Sequence, residues 1–386
     1  MDDSPKTIVV AGFDWADLAQ TDPEKMREKL DRDGLLEGEH NIVLLHWAPS
    51  TYTKQLDERI TLVRVRARFH HLRPLYDLLA HWVFSRALRE AGVRPDVLVA
   101  YDSAMLCALR SVRAQLGGIL ALFLTNVPST LLRTRRGSLV RGWYQCFVDR
   151  LALPHLDRAY VISGATKGYL IERGVPEEKI EQFAPKTIPS DVDDRIAASR
   201  GSIRAQYMIP EGTRVLLTVG RLEHEKGIDR LLHVFAQIDN HDLTLIVAGD
   251  GVLRPALERL ATELGIAHKV IFAGNVPHDD LWGYYADADV FVLLSRSEAL
   301  GLVVWEAFAA RVPVVVSYAE GLMESVGKDG DRGFVWEESM GPHAFRERID
   351  RACTDGAAAK DMLDRAQQYV RTRTSDAGSL LSHLFR

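Results

Sequence analysis

The chain has 386 residues, 47% of them hydrophobic and 26% charged, which is the balance of an ordinary globular protein with room for two domains. No apolar run approaches the ~20 residues that a membrane-spanning helix needs, and the acidic start Met1-Asp2-Asp3-Ser4-Pro5-Lys6 carries no secretory pattern, so a cytoplasmic protein is expected. No known nucleic-acid reader motif is visible, so nucleic acid is not an expected partner, and Cys107, Cys146 and Cys353 are too few and too scattered for a zinc ribbon or a disulfide framework.

Thr7 to Ala11 reads as a first strand, and no G-x-G-x-x-G follows it, which speaks against a dinucleotide-binding oxidoreductase. Pro23 to Asp33 reads as a polar helix. Asn41 to His46 and Ile60 to Val65 read as strands, with His46 at a strand end and so a candidate group on the acceptor side. Leu72 to Ala91 has apolar residues at helical spacing. Asp96 to Ala100 is a short apolar strand. Asp102 follows it, either facing a ligand or capping the helix Ala104 to Gln115. Ile119 to Leu124 is a strand that runs into Thr125-Asn126-Val127-Pro128, and Asn126 is a second candidate at a strand end. Arg133 to Asp149 is a basic, aromatic helix; Arg158 to Ser163 is a strand and Ala165 to Arg173 a helix. Residues 59–150 hold 15 Arg against 5 acidic residues, net +10. Such a field suits an anionic partner, for example a phosphorylated acceptor or an anionic membrane surface, and it is equally what a solvated Arg-rich face looks like.

Pro185, Pro189 and Asp191-Val192-Asp193-Asp194 read as a linker. Beyond it strands recur at 214–219, 243–248, 270–273, 290–294 and 312–317, separated by helices. Alternation of this kind predicts an α/β chain of two doubly wound, Rossmann-like domains facing a cleft. The expected domains are 1–190 and 191–365, with a C-terminal helix of about 366–386 returning to the first.

Three strand ends in the second half carry ligand chemistry. Strand 215–219 ends in Gly220-Arg221-Leu222-Glu223-His224-Glu225-Lys226-Gly227, where two cations beside a helix start suit a diphosphate. Strand 270–273 ends in Gly274-Asn275-Val276, where a flat base could lie. Strand 290–294 ends in Ser295, and then come Glu298, Gly301 and a helix from Leu302 that contains Glu306. The free N–H groups at such a helix start attract an anion. Carboxylates beside it repel phosphate but accept from hydroxyls. A ligand with both phosphate and sugar hydroxyls satisfies both. Asp287-Ala288-Asp289 has the spelling of a metal motif but precedes a strand, and reads as a turn.

Together Gly220-Arg221-Leu222…Lys226-Gly227, Gly249-Asp250-Gly251, Phe272-Ala273-Gly274 and Glu298-x7-Glu306 resemble the retaining GT-B glycosyltransferases of family 4. The resemblance is close over roughly residues 213–340. It implies that Arg221 and Lys226 hold the donor diphosphate, that Glu306 binds the ribose, and that Glu298 binds the donor sugar. It also implies that the backbone of Gly301, Leu302 and Val303 completes the phosphate site, with Gly220 and the base-side Asn275 and Val276 lining the nucleotide. The activity implied is transfer of a sugar from a nucleotide diphosphate, UDP favoured and GDP as the alternative, to a carbohydrate, lipid-linked or small-molecule hydroxyl. Configuration is retained and no metal or other cofactor is required. The sequence departs from the family in both domains: in the first, Asn126 stands where a histidine is usual, and in the second Ala310-Arg311 replaces a small residue and a glycine. A GT-B sugar epimerase and a non-catalytic, donor-binding partner subunit therefore stand as alternatives.

Overall fold

The computed structural model describes residues 5–11, 26–27, 30–31, 33, 35–36, 39–48, 51–66, 81–125, 138–239, 241–354 and 356–375, with the backbone alone at 46–48, 66, 81–82, 138–144 and 375. The chain divides into two compact units, residues 1–186 together with 376–386, and Thr187 to Ser375.

In the first unit the strands are β1 (Thr7–Ala11), β2 (Asn41–Ala48), β3 (Tyr52–Gln55), β4 (Ile60–Arg66), β5 (Val97–Ala100), β6 (Ile119–Leu124), β7 (Arg158–Val161) and β8 (Ile180–Gln182). They lie in the order β3-β4-β2-β1-β5-β6-β7-β8. All pair in parallel except β3, which runs antiparallel to β4 at the edge. Ile8 to Ala11 and Val97 to Ala100 are fully buried, as expected of strands with helices on both faces. The Ser103–Leu116 helix follows β5. Asp102 is its N-cap, accepting from the Met105 N–H at 2.6 Å.

The second unit holds β9 (Arg214–Val219), β10 (Leu243–Ala248), β11 (Val270–Gly274), β12 (Val290–Leu293), β13 (Val314–Ser317) and β14 (Phe334–Trp336). Their order is β11-β10-β9-β12-β13-β14, all parallel. The strand order reverses between β9 and β12, so the carboxyl ends of those two strands flank the topological switch point. Apolar side chains of β9, β10, β12 and β13 meet the inner face of the Ile228–Gln237 helix, where Leu231, Leu232 and Phe235 are fully buried.

Several local expectations change. Residues 192–199, read as linker, form a helix. Asp193 and Asp194 suit its first turn, Ile196 is buried, and Arg195 pairs with Asp279 at 2.6 Å. It packs on the His278–Asp287 helix, so the linker stops short of it. Strands β3, β8 and β14 were not expected; each is three or four residues long. The final described helix, Ala357–Ser375, was expected to turn back to the first domain from about 366. Residues 366–375 instead pack within the second unit: Ala366 and Val370 are buried, Tyr369 meets Trp305 edge to face, and Arg373 pairs with Glu324. Residues 376–386 lie outside the described residues. Arg311 has a left-handed backbone, φ 58°, and its guanidinium ties to Asp364 at 2.8 Å and Gln367 at 3.1 Å on that helix.

Candidate functional site

At the switch point β9 gives way to Gly220, a turn, and the one-turn helix His224–Lys226. Gly227 then adopts φ 64° and caps the Ile228–Gln237 helix. A Cβ on Gly227 would stand 2.1 Å from the Leu294 carbonyl oxygen, so only glycine lets this turn press against the end of β12. That contact brings Lys226 across to the β12 loop. Its Nζ donates to Glu298 Oε2 at 2.6 Å, with the two side chains 22% and 12% exposed. The Ser295 hydroxyl donates to the same oxygen at 3.3 Å, while the Ser295 carbonyl accepts from the Ser317 hydroxyl at 2.6 Å. Glu298 is therefore held from three sides: by β9's turn, by β12's end and, through Ser295, by β13.

The loop closes at Gly301, which starts the Leu302–Ala309 helix with φ 73° and no side-chain cap. A Cβ there would meet Leu322 Cδ2 at 2.5 Å. Trp305 Nε1–H donates to Ser325 Oγ at 2.9 Å, so the Ser325 proton goes to the Leu300 carbonyl at 2.9 Å. This buried chain anchors the residue just before the helix start. The N–H groups of the first turn, at Leu302 and Val303, carry the partial positive charge of a helix N-terminus.

Glu306 sits one turn further on and is buried. The Tyr285 hydroxyl donates to its Oε2 at 2.8 Å, and His278 Nε2 lies 3.2 Å from its Oε1. Burial and the neighbouring Glu306 carboxylate push the Tyr285 phenol well above its ordinary pKa, which keeps its proton in place. Tyr285 and His278 were absent from the sequence reading. Both sit on the His278–Asp287 helix, whose buried aromatic residues Trp282, Tyr284 and Tyr285 look like plain core. Only the burial of Glu306, which demands donors, would have pointed to them.

The other expected residues are distributed unevenly. The Arg221 side chain is 75% exposed and pairs with Glu223 at 2.8 Å, apart from the Lys226–Glu298 pair. Asn275 and Val276 follow β11 and border a cavity of about 370 Å3 that Ser202, Tyr207, Asp280 and Tyr284 also line. Asp287 accepts from the backbone N–H of Gly201, Ile203 and Arg204 at 2.5, 2.9 and 3.0 Å, and Asp289 accepts from Val215 N–H at 2.7 Å. Both are thus occupied as structural anchors. In the first unit Asp102 is a helix cap, as above. His46 lies on β2, and of its side chain nothing is described; Asn126 lies outside the described residues. No helix among the described residues is long and apolar enough to cross a membrane.

Residues 199–370 match the model of the family described as glycosyl transferases group 1, and residues 28–186 match a glycosyl transferase 4-like domain. An uncharacterised glycosyltransferase of Methanocaldococcus jannaschii is 32% identical over 197 residues, 50% of each chain. A GDP-mannose-dependent alpha-(1-6)-phosphatidylinositol monomannoside mannosyltransferase of Mycobacterium tuberculosis is 30% identical over 283 residues, 69% of this chain and 70% of that protein. The chain thus spans about half the length of the first relative. Among solved structures, sucrose-phosphate synthase from Thermosynechococcus elongatus superposes with a TM-score of 0.73 at 19% identity, over 98% of this chain and 99% of that one. That likeness is one of fold: two Rossmann-like domains of the GT-B type.

Proposed function

Because this chain belongs to the glycosyl transferases group 1 family, we propose that it transfers a sugar from a nucleoside diphosphate donor to an acceptor hydroxyl, with retention of configuration and without a metal. The observation that carries the reading is the Lys226–Glu298 pair at the carboxyl edge of the switch point, next to the open helix start at Gly301. An ammonium and unpaired N–H groups favour phosphate, and the fixed carboxylates favour hydroxyls.

In this reading the diphosphate lies against Lys226 and the first-turn N–H groups of Leu302 and Val303. The bond from the sugar's anomeric carbon to the diphosphate oxygen breaks, the same carbon bonds the acceptor oxygen, and the acceptor's proton leaves with the diphosphate. Negative charge grows on the departing oxygen, so donors already in place stabilise the transition state more than the ground state. Glu298, steadied by Lys226 and Ser295, accepts from a sugar hydroxyl, and Glu306 accepts from the ribose. Arg221, on its exposed turn, reaches the diphosphate only by exchanging Glu223 for it. Asn275 and Val276 border the base. Uridine and guanosine diphosphate sugars are both taken as candidate donors, guanosine because one relative is named for GDP-mannose. The Arg-rich stretch 59–150 supports an anionic or lipid-linked acceptor.

The test is release of nucleoside diphosphate from a panel of UDP- and GDP-hexoses, with and without lipid-linked and soluble acceptors. Release that depends on the acceptor is expected, and Lys226→Ala and Glu306→Ala should each lower kcat/KM by roughly 10- to 100-fold, the loss of one charged hydrogen bond. Wild-type turnover in both variants would overturn the site. Donor isomerisation without acceptor would overturn transfer.

A further inference from the structure

Glu306 has two protein partners of opposite character. Tyr285 is 1% exposed, and its ring is clamped between Trp282 and Phe291, each with its centroid 5.8 Å away. Its one phenolic proton points to Glu306 Oε2 at 2.8 Å, with the Val303 carbonyl a longer second acceptor at 3.2 Å. The His278 side chain is 40% exposed and meets Oε1 at 3.2 Å. A buried ring cannot swing away, whereas a half-exposed imidazole can yield its place. Oε2 therefore has a permanent donor, and Oε1 has one that a ligand hydroxyl can replace.

We infer that Tyr285 is a positioning residue for nucleotide selection: by holding Oε2 it turns Oε1 of Glu306 toward the ligand, and so makes the site prefer a ribose over a deoxyribose. The inference rests on the proposed reading that Glu306 accepts from the ribose hydroxyls. It also joins two parts of the site, because the same hydroxyl touches the carbonyl of Val303 in the first turn of the Leu302–Ala309 helix. A site built to pair with a hydroxyl rejects a ligand that lacks it, since the buried partner is then left unsatisfied.

The experiment is calorimetric titration of the full chain with UDP and GDP and with the 2′-deoxy and 3′-deoxy form of each. Wild type should prefer the ribonucleotide by about tenfold or more, the worth of one hydrogen bond to a charged group. Tyr285→Phe should bring the ratio to within about threefold of unity and raise the donor KM more than it lowers kcat, because binding common to the ground and transition states is lost. Tyr160→Phe, which loses a buried hydroxyl in the first unit, is the control and should keep the wild-type ratio. In a Glu306→Ala background Tyr285→Phe should change the ratio no further. Equal weakening of ribo- and deoxynucleotides by Tyr285→Phe would mark a purely structural role and overturn the inference. A ratio lost in Glu306→Ala but kept in Tyr285→Phe would overturn it while sparing the ribose reading. A Glu306→Ala variant that keeps the preference would overturn both. Tyr285→Met is a second hydroxyl-free variant that carries the same comparison if the phenylalanine protein does not fold.

Discussion

At the scale of single residues, the charges that matter are those that burial forces into pairs. Lys226 is needed by Glu298 as much as Glu298 is needed by Lys226, since both side chains are largely withdrawn from solvent. Lys226→Ala is expected to cost about 1–3 kcal/mol of stability in addition to activity, because it strands a carboxylate; Lys226→Met should show the same loss in urea unfolding. An unchanged midpoint in both would mean that the pair is open to water. The three thiols separate in the same way. Burial pushes Cys107 up to about 11 and also raises Cys353, whereas Cys146 is exposed. One fast thiol is therefore expected at pH 8 in native protein, lost in Cys146→Ser, with the other two reacting only on unfolding. Three equally fast thiols would contradict these placements.

At the scale of elements, the motifs were legible because each sits where a strand stops and a helix starts, and glycine, proline and charge mark such places plainly. β10 and β6 match the reading residue for residue, since unbroken runs such as Leu243 to Ala248 have only one buried use. What escaped was set by partners distant in sequence. Residues 192–199 look like linker because of their acidic start, and become a helix because the His278–Asp287 helix offers Ile196 a surface and Arg195 a carboxylate. The three-residue strands β8 and β14 carry too few residues for a period; a neighbouring strand defines them. Asp287 shows the same dependence. Read as a turn residue, it collects three backbone N–H groups at the start of the Ser202–Gln206 helix. Asp287→Ala should destabilise the second unit by about 2–3 kcal/mol, read as a lower midpoint in urea unfolding. A midpoint equal to wild type would show that water replaces the carboxylate.

At the scale of the whole molecule, the second unit carries the Lys226–Glu298 pair at the carboxyl edge of its sheet and an ionic lock elsewhere. Asp242 accepts from Arg346 at 2.8 Å and also pairs with Arg214, and Arg214 reaches Asp350 at 2.9 Å. The bond from Arg346, with Arg214 beside it, holds the Asp242 carboxyl well below the usual range. A depressed carboxyl adds stability that is complete above its unfolded pKa of about 3.9 and is lost as pH falls below it. Tm is therefore expected to fall progressively from about pH 5 and to go on falling below pH 3, toward the depressed folded-state pKa, and Asp242→Asn should flatten that drop. Parallel profiles for the two proteins would place the acid sensitivity elsewhere. The fold and the meeting of Lys226 with Glu298 at neighbouring strand ends were readable from the sequence because the strand-end motifs lie within one unit and within 90 residues of one another, from Gly220 to Glu306. Tyr285 was not, because an aromatic residue on a buried helix face has the same signature whether it packs or holds a carboxylate, and His278 was not, because a half-exposed histidine at a helix start looks like any surface residue.

The most direct measurement is calorimetric titration of UDP and GDP into wild type, Lys226→Ala and Glu306→Ala. One of the two nucleotides should bind wild type, and its affinity should fall by roughly 10- to 100-fold in each variant. Equal affinity in all three proteins, or no binding of either nucleotide to wild type, would contradict a nucleotide-sugar site at the ends of β9 and β12.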